Sequence, residues 1–438
     1  MACGSHGLPQ GATRTTALRM DEQRYLINGS IFAAEEPGLQ EALARIHGTP
    51  ARPRCLCVDE GVEMYVSKFG DYVIKRMPET GAEHRPTCPS YELPASESGL
   101  GEVLGEAIIE HGPEGVELRL DFPLTRRIGR SFATTDPKPS GEVAVARKQL
   151  SLRGLLHCLW QRAGFNRWYP RMQGKRSYWV LRKFLLQASE NVETKGLRLA
   201  ERVFIPEYFS RDHAAEIAER RDQALSILLS PDRDLHFKMM IALGELKAFN
   251  EATFGYHLYF KHLPDCAFLL EKAAGVRTTR AFESTLQAWS AGQVKLIASC
   301  LFYAKRERSY QIDTLTLMMT SDEWIPLEHA YEKDLVDKLV HQQRTFIKPL
   351  RYEAKYASHF PNLQLLDVGA QPVALDILSA FLTPQERIAK ASGMAERRAG
   401  GWVWDTAQHA VVPELPPKVV HRLARETPPA ATLHDRAA

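Results

Sequence analysis

Residues 54–92 read RCLCVDEGVEMYVSKFGDYVIKRMPETGAEHRPTCPSYE, and the reading of this stretch decides the front of the fold. Cys55 and Cys57 open it and His84 and Cys88 close it. Between them MYVSK (64–68) and YVIKR (72–76) alternate apolar and polar residues about Phe69-Gly70-Asp71. Alternation on both sides of a Gly-containing turn is the pattern of a β-hairpin. Such a hairpin brings the Cys-x-Cys and His-x3-Cys pairs together, and three thiolates with one imidazole complete the sphere of a tetrahedral structural zinc. The expected ligands are Cys55, Cys57, His84 and Cys88. The alternative left open is that these cysteines are small buried apolar side chains. Disulfides are disfavoured, because the seven cysteines are an odd number and no apolar run of signal-peptide type marks the chain as secreted.

Working outward, 438 residues suffice for two to four domains. A composition of 44% hydrophobic and 25% charged residues is that of an ordinary soluble protein. No segment approaches the ~20 apolar residues of a membrane span, so a cytoplasmic protein with reduced thiols is expected. The net charge of +3 is too small to imply a polyanionic partner by itself. Oligomeric state is left open.

The expected class is α/β (mixed α+β) and multidomain. Residues 1–20 form a disordered tail and 21–95 the zinc module, with a helix at 39–46. Residues 96–145 hold a hairpin, EAIIEH and GVELRLDF about Gly-Pro-Glu-Gly, and a polar linker over 134–141. A basic helical segment follows at 146–196, then a β-rich middle domain at 197–323 and a last α/β domain at 324–412. The remainder, 413–438, is rich in Pro and Ala and reads as a disordered tail. In the middle domain Ser210 is placed to cap a helix over 211–229, three strands form a meander, a helix covers 279–291, and two more strands follow.

Charge breaks its balance between Val143 and Ser189, which contains ten Lys or Arg and no Asp or Glu. Leu152, Leu155, Leu156 and Leu159, then Val180, Leu181, Phe184 and Leu185, recur at helical spacing, giving helix, basic loop, helix, of helix-turn-helix or winged type. Trp160, Phe165, Trp168, Tyr169, Tyr178 and Trp179 interleave with the cations. Cations that neutralise phosphate and rings that stack on bases suit a nucleic-acid surface. Arg162, Arg167, Arg171, Lys175, Arg176, Arg182 and Lys183 are the expected contacts. The competing reading makes the tryptophans core and the arginines a solvated face.

Two places offer acids and a lysine in the order a Mg²⁺-dependent nuclease needs. One is Asp232, Glu245 and Lys247. The other is the last domain, where Glu332 stands on a helix, Asp367 and Asp376 on strands and Lys390 on the next helix. That order resembles the PD-(D/E)xK nucleases, and the resemblance implies catalysis by Asp367, Asp376 and Lys390. It departs from the pattern after Asp376, where Leu378 stands in place of the lysine. No phosphate-binding GxxxxGK[ST] or GxGxxG motif is present, and no GxSxG nucleophile elbow. His157 and Cys158, adjacent on an apolar helix, are expected to be core.

The run Cys-x-Cys, hairpin, KRMPETG, His-x3-Cys-x2-Tyr-Glu resembles the bacterial domain-of-unknown-function family 1173, whose three amino-terminal cysteines fall on Cys55, Cys57 and Cys88. GLLHCLWQRAGFNRW, RVFIPEYF, GELKAF, FIKPLRY and WVWD extend the likeness over nearly the whole chain. The resemblance implies a gene on a plasmid or integrative conjugative element and no particular activity. The expected function is a zinc-containing accessory protein that binds or processes nucleic acid, with DNA favoured. A PD-(D/E)xK-type nuclease and a protein-interaction component of conjugation or replication machinery are the alternatives.

Overall fold

The structure is a computed structural model that describes residues 23–127, 148–229, 236–352, 354, 359–397 and 401–419. The expected tail 1–20, the linker 134–141, Asp232 and the far carboxy-terminal tail lie outside these residues.

The chain is mixed α/β. Strands β1 (Arg24–Ile27) and β2 (Ser30–Ala33) form a hairpin, and α1 (Leu39–Ile46) follows as expected. Its buried Leu39, Ala42, Leu43 and Ile46 recur on one helical face. Strands β3 (Arg54–Cys55), β4 (Val62–Phe69) and β5 (Asp71–Arg76) complete an antiparallel sheet of order β2-β1-β3-β4-β5. Phe69 pairs with Asp71 across Gly70, whose φ of +73° glycine adopts without strain.

Next come the expected hairpin β6 (Ile108–Glu110) and β7 (Val116–Leu118), then β8 (Thr125–Arg127). Helices α2 (Leu152–Arg162) and α3 (Tyr178–Ser189) bracket the short strand β9 (Arg167–Trp168). The hydroxyls of Ser151 and Ser177 accept from the N–H groups of Gly154 and Val180 and start the two helices. A hairpin of β10 (Val192–Thr194) and β11 (Leu197–Arg198) pairs onto β7. Helix α2 is buried nearly all round, with Leu155, Leu159 and Trp160 in one cluster with Ile241, Leu243 and Leu301 of the middle domain.

The middle domain contains β12 (Val203–Phe204), α4 (Ala214–Leu225), β13 (His236–Lys238), β14 (Met240–Ala252), β15 (Gly255–Phe260), β16 (Leu263–Glu271), α5 (Lys272–Ala281), α6 (Glu283–Ser290), β17 (Lys295–Arg306) and β18 (Ser309–Thr320). Helix α4 begins after His213, so Ser210 is not its cap; the helix expected at 279–291 corresponds to α6 and the end of α5, and α5 itself starts earlier, at Lys272. The meander β14-β15-β16 is joined by β18, parallel to β16, and β17 pairs with both β18 and β14. The order β14-β15-β16-β18-β17 therefore closes on itself as a barrel, which leaves no free edge. Leu246, Leu258, Phe260, Phe268, Phe302 and Tyr310 fill its core, Phe268 packing edge-on to Phe302.

After β19 (Pro326–Leu327), which pairs with β18, the last domain runs α7 (Glu332–His341), β20 (Phe346–Ile347), β21 (Leu363–Leu365), β22 (Val373–Leu378), α8 (Pro384–Glu396) and β23 (Trp402–Asp405). Its sheet has the order β23-β22-β21-β20-β9, with β22 and β23 parallel and the other pairs antiparallel. The fifth strand, β9, comes from the basic loop, so that loop is part of this sheet and not a separate winged unit. Of the tail expected from Pro413, residues 413–419 are described and ordered against the rest of the chain. Leu415 is buried and the Val419 N–H donates to the Asp367 carbonyl, so 413–419 pack on the last domain.

Candidate metal centre and basic cleft

Cys55 sits at the end of β3, held by pairing with Tyr25 on β1 and Val62 on β4. Cys57 follows in the next turn. His84 ends a 3-10 turn over Thr80–Glu83, and Cys88 lies in a tight turn whose N–H donates to the Arg85 carbonyl. One ligand atom from each of the four lies within 4.8 Å of the others. The Cys55 and Cys88 sulfurs are 3.7 Å apart, and the His84 Nδ1 is 3.2 Å from the Cys57 sulfur and 3.7 Å from that of Cys88. Two thiolates on one tetrahedral ion, each about 2.3 Å from it, stand roughly 3.8 Å apart. A disulfide needs about 2.05 Å. The spacing fits a shared metal ion and not a covalent bridge.

The surroundings suit thiolates. Gln23 Nε2 approaches the sulfurs of Cys55 and Cys88 and donates to Ser90 Oγ, while the Ser90 N–H donates to the Cys88 sulfur. Donors of this kind offset charge on a ligand sulfur. Without a cation the three thiols compete. Hydrogen bonds from Cys57 and Cys88 hold Cys55 far below the ordinary thiol range, and the same contacts push Cys88 far above it. A divalent ion removes that conflict, because all three sulfurs then bind as thiolates.

The basic loop turns out to brace this centre. Arg167, expected to meet nucleic acid, is buried and donates to the carbonyls of Pro89 and Tyr91 and to Glu92. Tyr169 O–H donates to the Cys88 carbonyl. Arg176 is half-buried, donates to the carbonyls of Glu323, Gly164 and Arg167, and lies over the rings of Phe165 and Trp168. Both arginines thus hold internal partners, and both also line the cleft between the β4–β5 hairpin and α2–α3. Trp160, Phe165, Trp168, Tyr169 and Tyr178 are likewise core, and of the six aromatics only Trp179, 59% exposed, faces solvent.

The other five expected cations lie around two neighbouring hollows. A cleft of about 620 Å³ between the β4–β5 hairpin and α2–α3 is lined by Arg162, Arg171 and Lys175, and also by Lys75 and Arg76, which the reading of the sequence missed. Arg182, Lys183 and Trp179 border the second hollow together with Lys68 of the hairpin. Burial, and after it Arg162, pushes the Lys75 ammonium down to about 8. Glu92, the cleft's buried acid, is engaged by Arg76 and Arg167; burial would raise its carboxyl, yet the two arginines hold it below the usual range. The missed signal was the Lys68, Lys75 and Arg76 content of the hairpin, which looked like the polar half of an alternating strand.

The acids of the last domain are each engaged by a cation. Asp367 is buried and accepts from both Arg344 Nε and Nη2 and from the Thr345 N–H. Asp376 lies 2.8 Å from Lys390 Nζ and is also paired with Arg397. Glu332 accepts from Lys348 and Asn362. Of the expected set the structure brings Asp376 and Lys390 into direct contact, while Asp367 is paired with Arg344. In the barrel, buried Glu245 pairs with Lys261 at 2.9 Å and Lys247 is exposed at a bulge. Among the described residues the cluster of Cys55, Cys57, His84 and Cys88 is the one group of three or more such side chains able to hold a metal. His157 and Cys158 are buried, as expected. Among the same residues no helix is long and apolar enough to cross a membrane.

No curated protein and no solved structure matches the chain. The profile of the family described as protein of unknown function (DUF1173) matches residues 25–407, and it contains all four ligands, the cleft and the last domain. The chain belongs to that family.

Proposed function

We propose that the chain is a zinc-folded nucleic-acid-binding protein whose β4–β5 hairpin and α3 together face the phosphate backbone. Zinc is the ion of choice because three thiolates and one imidazole, all at buried or half-buried positions, form a closed set without a place for substrate. The observation that supports the binding reading is convergence. Lys68 and Lys75 from the metal module and Arg162, Arg171, Lys175 and Lys183 from the helical segment line two adjoining hollows, although about a hundred residues separate the two groups. Glu35, Glu92, Glu110 and Glu190 share these linings, and the cations outnumber them, which leaves a net positive surface suited to a polyanion. The element order of the last domain favours kinship with the nuclease fold, and its paired acids favour a binding or assembly role over cleavage.

The test is a salt titration of duplex binding. Replacing Arg171, Lys175 and Lys183 with Ala should flatten the slope of log K against log salt by about 0.9 for each phosphate that is no longer neutralised. An unchanged slope, or no binding by the wild-type protein at low salt, sinks the reading.

A further inference from the structure

The barrel carries a second surface, apart from the cleft. Its strand order, its one parallel pair and the helices between its third and fourth strands reproduce the connectivity of the OB-type barrel. In that architecture the second and third strands, with the first–second and fourth–fifth turns, make an oligonucleotide face. Connectivity does not assign a ligand by itself. The residues on the face carry the argument.

Along β15, Tyr256, Leu258 and Phe260 turn into the core, and His257 and Tyr259 turn outward, half-buried. The pairings place Asn250, His257, Leu269 and Gln311 in one outward row across four strands and set Ala248 beside Tyr259. None of these six side chains carries a formal charge. The two carboxylates on this side of β16, Asp265 and Glu271, stand toward its ends. Elsewhere the barrel's outer surface is covered: Ile241, Leu243 and Leu301 are packed under α2.

The margins differ from the floor. Lys247 at the β14 bulge, and Lys305 and Arg306 at the end of β17, are exposed and form no ion pair among the described residues. Glu245 and Glu251 are paired with Lys261 and Lys272. The β14–β15 turn presents Phe254 at 93% exposure. One exposed ring needs no explanation. Three rings on one strand and its turn, over an uncharged floor with unpaired cations at the rim, match what a single strand offers: flat bases and a charged backbone.

We propose that this face binds single-stranded nucleic acid, with bases stacked on Tyr259, His257 and Phe254 and phosphates met by Lys247, Lys305 and Arg306. A duplex keeps its base faces stacked inside and cannot use the platform, so the surface selects unpaired strands. Binding here does not depend on the cleft.

The experiment is fluorescence anisotropy of the full-length, metal-loaded protein with labelled 15-mers of oligo-dT and oligo-U, beside a duplex of equal length. Tyr259→Ala and Phe254→Ala should each weaken single-strand binding about 5- to 100-fold. Tyr259→Phe should restore wild-type affinity, and duplex binding should stay unchanged. The tighter of the two oligonucleotides identifies DNA or RNA. Single-strand binding that survives both alanine variants but falls in an Arg162→Ala, Lys175→Ala protein would overturn the barrel site and leave the cleft reading standing. Equal loss of duplex binding, or no affinity of the wild type for either oligonucleotide, would overturn it too. An unchanged melting temperature confirms for each variant, the half-buried Tyr259 and Arg162 included, that folding is intact.

Discussion

Arg167 has the charge of a phosphate contact and the surroundings of a core residue. Nothing local distinguishes it from Arg171, because its partner Glu92 lies 75 positions earlier and becomes a neighbour only through the fold. The same holds for Asp367, whose partner Arg344 gave no signal in the spacing of acids. The cysteine ligands were legible because a metal site needs rare residue types at short, fixed offsets, whereas Asp, Glu and Lys are common. Cys88→Ser should lower bound zinc from about one per chain to near none, read by elemental analysis, with a fall in melting temperature. Asp367→Ala should cost roughly 3–5 kcal/mol in urea unfolding, because it strands buried Arg344. A catalytic acid outside such a pair would show no comparable loss. His157 gives a pH signature. Burial, with Arg153 next, pushes its imidazole down to about 3, against near 6.5 in the unfolded chain. The unfolded state then binds the proton first, so this contribution is complete above pH 6.5 and is lost as pH falls toward 3. His157→Phe should narrow the stability difference between pH 7 and pH 4.5 by roughly 2–3 kcal/mol.

At the scale of elements, α1 and α3 follow from periodicity, since each buries one face whose spacing is local, while α2 and the central barrel strands are legible as apolar runs buried on more than one side. Barrel closure was not legible. It rests on β14 meeting β17 across Met240↔Phe302 and its neighbours, a pairing with no local trace. The body of α5 was missed because its residues follow directly on β16 with no capping side chain to mark the start of a helix. The barrel's packing has its own test at Gly275, on α5, where an added Cβ would stand 1.9 Å from the Tyr256 ring. Gly275→Ala should therefore destabilise the protein by about 1–3 kcal/mol despite the better helix propensity of alanine, measured as a shift in the urea midpoint.

For the whole molecule, the basic loop is the connection between the ends of the chain. Arg167 and Tyr169 hold the turn around Cys88, and in the same loop Arg167 and Trp168 pair with Ile347 and Phe346 of the last sheet. Chelation of the metal should thus raise amide hydrogen exchange at 54–92 and also at 164–170 and 345–348, while the barrel strands stay protected. Exchange confined to 54–92 would contradict this linkage.

The donated strand also bears on how such a chain is inherited. Remove residues 167–168 and the final sheet keeps β20 as an uncovered border; remove the final sheet and the loop loses the two-residue ladder at Arg167 and Trp168. A fragment that ends between them exposes an unpaired strand edge, open to edge-to-edge association with another chain, so a gene cut at that point encodes a stickier product than the whole.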